Sequence, residues 1–153
     1  MTRKLHGILA DLIKHNERIQ KIYQLVFNAI FRFVGFFIAK DENLVLLSSY
    51  GGKQYSDSPR ILFEAMKKDV RFAGLRYVWA FEFPDIIEVD GAEKVRMDSM
   101  SYFLCALKAK VWITNVNIER GLHFKRAHTI YLNTWHGTGP KKGGNAVPGR
   151  NDY

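Results

Sequence analysis

The chain has 153 residues, enough for one modest domain, and a 47% hydrophobic composition that excludes disorder. Its 23 Lys and Arg outnumber 15 Asp and Glu, and the formal charge of +8 favours an anionic partner: acidic lipid, nucleic acid or a phosphorylated substrate. Lone Cys105 excludes an intrachain disulfide and a multi-cysteine zinc site, and its apolar run from Tyr102 to Leu107 marks a buried thiol.

The charge is unevenly placed. Residues 1–40 carry seven basic groups against Asp11 and Glu17, and residues 120–150 carry six basic groups and no acid. Two separate basic regions imply two separate anionic contacts.

Residues 1–40 are expected to form an amphipathic helical segment that associates with a membrane. Apolar residues recur at Leu5, Ile8, Leu9 and Leu12, then at Ile19, Ile22, Tyr23, Val26, Ile30, Val34 and Phe37, which is helical spacing. Gln24, Asn28 and Arg32 run as a polar stripe through the most apolar part. The 18 residues from Ile22 to Ala39 fall short of the ~20 needed for a span. Arg32 at bilayer depth would cost at least ~2.5 kcal/mol. An interfacial helix satisfies both facts, its apolar side among acyl chains and Lys14, Arg18, Lys21 and Arg32 at anionic headgroups. The same spacing also suits packing against the domain.

Residues 44–153 read as a Rossmann-like α/β domain. Leu44–Leu47 is a short apolar strand, and Ser58-Pro59 starts a helix with Ile61, Leu62, Ala65 and Met66 facing inward. Arg76–Phe81 is the next strand, and a further short strand is expected within Ile86–Val89 or Lys94–Arg96. Ser99–Lys108 reads as a helix, and Val111–Thr114 and Thr129–Leu132 as strands. Alternation of strand and helix at this spacing predicts a mainly parallel sheet covered by helices.

In such a sheet the loops after the strands gather at one edge, where ligands bind. Three of these loops are chemically rich. Ser49–Ser58 holds Gly51, Gly52, Lys53, Ser56 and Asp57 before a helix start whose free N–H groups suit an anion. It matches neither the phosphate-binding P-loop nor G-x-G-x-x-G, which excludes an ordinary ATPase or dinucleotide site there. Asn115 opens the second loop. The third, after Thr129–Leu132, carries His136, Gly137, Thr138, Lys141 and Lys142. A histidine directly after a strand is held rigidly, and imidazole, with an unperturbed pKa of ~6.5 in general, is the side chain best suited to a general base. Glycines and lysines beside it suit phosphate oxygens.

Together SSYGGKQYSDSPR, RYVWAF, ITN after Trp112 and TIYLNTWHGTGPKK resemble the CDP-glycerol glycerophosphotransferase family, whose members build teichoic-acid-type polymers. The resemblance spans roughly Leu44 to Gly144. It implies the N-terminal, acceptor-side half of a GT-B fold, with no cofactor and with CDP-glycerol as donor. It further implies a membrane-linked glycerol phosphate or glycan acceptor, and a peripheral place on the cytoplasmic face of the cell membrane against its anionic surface, rather than nucleic acid. His136 matches the family's catalytic histidine, while Gly51, Gly52, Lys53, Ser56, Asp57, Asn115, Gly137, Thr138, Lys141 and Lys142 are expected around substrate phosphates. Gly139-Pro140 after the WHGT motif departs from the usual pattern and points to a distinct subgroup. The chain is expected to stop before the nucleotide-binding half and to be inactive by itself. A sugar-transferring GT-B enzyme and a non-catalytic basic membrane-binding module are the rival readings.

Overall fold

A computed structural model describes residues 16–119 and 122–137. Helix α1 (Glu17–Phe37) begins at Asn16, whose side chain accepts the N–H groups of Arg18 and Ile19. Strand β1 (Asp41–Ser48) starts three residues before the predicted apolar run, and its buried portion is that run together with Ser48. A turn through Tyr50–Gly52 leads to α2 (Asp57–Lys68), then β2 (Arg76–Phe81). Strand β3 is Glu93–Arg96, the second of the two sequence alternatives, while Pro84–Ile86 forms a single 3-10 turn. Helix α3 (Met100–Lys108), capped by the Ser99 hydroxyl on the Tyr102 N–H, is followed by β4 (Ala109–Thr114) and β5 (Ile130–Asn133).

The five strands form one parallel sheet in the order β3-β2-β1-β4-β5. Strand β1 lies at the centre, with Leu46 opposite both Val78 and Trp112. Burial on both faces explains its unbroken apolar run. One face carries Leu44, Leu46, Val78 and Trp112 against Tyr102 and Cys105 of α3, Phe31 of α1 and the later Phe124. The other carries Val45, Leu47, Trp79 and Ile113 against Phe63 of α2. The result is a three-layer α/β fold of Rossmann-like order.

Two helix faces differ from the sequence reading. Helix α2 turns Pro59, Leu62, Phe63 and Met66 inward, leaving Ile61 69% exposed and Ala65 also exposed. The inward spacing is the i, i+3, i+4, i+7 set centred on Phe63, whose large ring outcompetes Ile61 for the sheet. Helix α1 divides its apolar residues between two faces. Tyr23, Phe31, Val34 and Ile38 pack on the domain, while Ile22, Leu25, Val26, Ile30, Phe33, Phe36 and Phe37 are exposed. Asn28, read as part of a polar stripe, lies toward the domain and accepts the His123 N–H at 2.7 Å. Among the described residues, no helix is long and apolar enough to cross a membrane.

Candidate active site

The sheet order reverses between β1 and β4, and the loops beyond their carboxyl ends open a crevice there. The residues following β1, β4 and β5 meet in that corner.

The turn after β1 is built by backbone geometry. Ser49 pairs with Gln54 across it, and the Ser49 hydroxyl donates to the Ser56 carbonyl at 2.7 Å. Tyr50, Gly51 and Gly52 all adopt positive φ, at 49°, 66° and 87°. Gly52 is buried under the end of β2: its N–H donates to Ser49, and its carbonyl accepts the Glu82 N–H at 2.8 Å.

Asn115, fully buried after β4, ties this turn to α2. Its Oδ1 accepts the Tyr50 N–H at 2.8 Å, and its Nδ2 donates to Asp57 Oδ2 at 2.7 Å. The Tyr50 hydroxyl donates to the same carboxylate oxygen at 3.1 Å. The Asn115 amide, the Ser58 N–H and the Tyr50 hydroxyl hold the Asp57 carboxyl below the ordinary carboxylate range, and the charge of His136 acts the same way. The Tyr50 hydroxyl is pushed up, first by its bond to Asp57.

His136 arrives from β5. The Thr134 N–H and hydroxyl both donate to the Thr114 carbonyl, at 2.8 and 3.1 Å, and Asn133 Oδ1 accepts the Trp135 N–H at 3.0 Å. These bonds carry β5's pairing with β4 one residue past the strand. They leave the His136 ring exposed, with its centroid 5.0 Å from that of Tyr50.

Beside this corner lies an open cleft of about 1010 Å³, walled by Tyr50, Gly51 and Lys53 on one side and Glu82, Arg96 and Asp98 on the other. Its charges are mixed, two cations and two carboxylates. A polar ligand with both anionic groups and hydroxyls suits such a lining. Among the described residues, no group of three or more His, Cys, Asp or Glu is placed to hold a metal ion.

Of the residues picked from sequence, Gly51 and Lys53 line the cleft, while Asp57, Asn115 and His136 meet at the corner through Tyr50. Gly52 ends the turn, packed on the end of β2, and the Ser56 hydroxyl donates to Gln54 at 3.0 Å. Gly137 follows His136 at a φ of 85°. Thr138, Lys141 and Lys142 lie outside the described residues. Tyr50, Glu82, Arg96 and Asp98 were not singled out. Tyr50 sat in view between Ser49 and Gly51, whereas Glu82 follows β2 with no motif around it, Arg96 ends the four-residue β3 and Asp98 lies just beyond it.

The sequence model described as CDP-glycerol:poly(glycerophosphate) glycerophosphotransferase matches residues 30–151. A teichoic acid poly(glycerol phosphate) polymerase of Staphylococcus epidermidis is 38% identical over 108 residues, covering 67% of this chain and 15% of that protein. A teichoic acid glycerol-phosphate transferase of Staphylococcus aureus is 34% identical over 104 residues, covering 67% and 26%. A structure of a variant of the wall teichoic acid polymerase TagF superposes with a TM-score of 0.69 at 28% identity, covering 87% of this chain and 34% of that one. The chain thus spans about a third or less of the length of these relatives.

Proposed function

This chain belongs to the CDP-glycerol:poly(glycerophosphate) glycerophosphotransferase family, and we propose that it supplies the acceptor side of a site moving glycerol phosphate from CDP-glycerol to a membrane-linked acceptor. His136 is the general base. It takes the proton of an acceptor hydroxyl as that oxygen bonds to the β-phosphorus of CDP-glycerol. The bond from the β-phosphorus to the bridging oxygen breaks, and CMP leaves with the electron pair. Phosphoryl transfer of this kind depends on positioning and on neutralising phosphate oxygens. Lys141, Lys142 and the N–H groups of Gly137 and Thr138 are assigned to that neutralisation, with Lys53 on the cleft wall.

The observation carrying this reading is the exposed His136 ring, set after β5 against Tyr50, which lines a polar cleft. A base must be rigidly placed and also reachable by substrate. The relatives' names, and a TagF structure soaked with CDPG, support the donor. The exposed apolar face of α1, with Arg18, Lys21 and Arg32 also exposed, supports a peripheral place on the inner face of the cell membrane.

The test is CMP release from CDP-glycerol by the full-length protein with a membrane acceptor, beside His136→Ala. A loss of about a hundredfold or more supports the base. An active parent with an unaffected variant removes His136 from the chemistry, and a parent that never turns over CDP-glycerol removes the donor.

A further inference from the structure

Asp57 and Asn115 fit poorly as phosphate contacts. A carboxylate repels a phosphate, and the buried Asn115 amide is occupied at both ends, by the Tyr50 N–H and by Asp57. Asn115 instead holds the Asp57 carboxylate at the Tyr50 hydroxyl, and the Tyr50 ring lies beside the His136 imidazole.

We propose that Asp57 is a positioning residue for His136: a fixed anion that favours the imidazolium formed when His136 takes a proton, with Tyr50 seating the ring. This rests on His136 being the base.

Three features support it. The carboxylate is held by two donors from different elements, Asn115 Nδ2 at 2.7 Å and the Tyr50 hydroxyl at 3.1 Å, so its charge is directed rather than solvated at random. Tyr50, Asp57 and Trp135 all adopt left-handed backbone, at φ 49°, 60° and 54°. Such conformations are uncommon outside glycine and gather where surrounding structure over-determines a functional site. Finally, the charge of His136 is among the influences lowering the Asp57 carboxyl. Among the described residues, Tyr50 from the turn after β1 and Asp57 from α2 are titratable groups that face His136.

Removing the anion leaves the imidazolium formed in the transition state without its fixed partner, so the proton transfer slows. The experiment measures CDP-glycerol turnover by the full-length protein for the parent, His136→Ala, Asp57→Asn, Asp57→Ser and Asp57→Glu. Asn tolerates the left-handed backbone at this position, so Asp57→Asn guards against loss of fold. Both neutral variants are expected to lose about ten- to a hundredfold in kcat, with KM for CDP-glycerol little changed. Asp57→Glu retains the charge and recovers part of the loss. An unchanged kcat in Asp57→Asn, a raised KM with kcat intact, or an Asp57→Glu no more active than Asp57→Asn overturns the proposal. If His136→Ala is itself active, the reading of His136 as base fails, and this inference with it. If His136→Ala is inactive and Asp57→Asn keeps the parent's kcat, the inference alone fails.

Discussion

The Gly52 carbonyl accepts the Glu82 N–H at 2.8 Å, and a Cβ added to Gly52 would stand 2.9 Å from that same nitrogen. The turn after β1 therefore lies flat on the end of β2, and only a residue without a side chain fits at a φ of 87°. Tyr50 and Asp57 both take their positions from this turn.

Gly52→Ala is expected to destabilise the chain by about 1–3 kcal/mol through left-handed backbone alone, with further loss from the backbone contact. Urea unfolding reads this, against Gly74→Ala as reference. A Cβ at Gly74 meets nothing within 4 Å, so that change should stay within about 0.5 kcal/mol. Equal midpoints for the two variants would remove the close approach as the reason for this glycine.

Arg126 latches two helices to the domain. Its Nη1 donates to the Ile38 carbonyl at 2.9 Å and to the Leu107 carbonyl at 3.1 Å, joining the end of α1 to the end of α3. Arg126→Ala leaves both carbonyls without this donor and should cost about 1.5–3 kcal/mol. Amide hydrogen exchange should rise first along α1, which the Asn28 bond to His123 also ties to the domain. Unchanged exchange in α1 would mean that apolar packing around Phe31 holds the helix without the latch.

The strands were legible because β1 and β2 are apolar or aromatic runs buried on both faces, and their signal is composition rather than alternation. Strand β3 was ambiguous because Glu93–Arg96 is a four-residue edge strand with charged residues at three positions. The inward face of α2 was misassigned because Ile61 and Phe63 are both apolar, and only the sheet decides between them. The placement of His136 just after β5 was legible from the strand before it. The bonding of Asn115 to Tyr50 and Asp57 was not, because a buried amide bonded at both ends looks in sequence like any polar loop residue. The α1 segment carried two meanings in one pattern. Its apolar residues cover more than one face, and sequence periodicity does not say which face the domain takes.

The outer face of α1 gives a direct test of membrane contact. Phe33, Phe36 and Phe37 are 70%, 83% and 70% exposed, so changing all three to Ser should leave folding nearly intact. Full burial of one such ring is worth about 1.5–3 kcal/mol, and even partial insertion makes the triple variant bind phosphatidylglycerol-containing vesicles at least about tenfold more weakly. Sedimentation with these vesicles at low and high salt separates the apolar share from that of Arg18, Lys21 and Arg32. Undiminished sedimentation of the triple variant would end the interfacial reading of this face.

His128 links stability to pH. Burial is the main influence lowering its pKa, and Arg126 and Lys40 act the same way against opposing contributions from Glu42 and a backbone bond with Lys108. Its folded-state value therefore lies below the unfolded ~6.5, and the unfolded chain binds the proton more readily. The stability this contributes is fully present above about pH 6.5 and is lost as pH falls through the depressed folded value. Urea midpoints should accordingly decline between pH 7 and pH 5. His128→Gln, which does not titrate, should flatten that decline whatever its effect on stability at pH 7. A decline just as steep in the variant would place the acid sensitivity elsewhere, the paired carboxylates near Lys67 and Arg76 being the next groups to test.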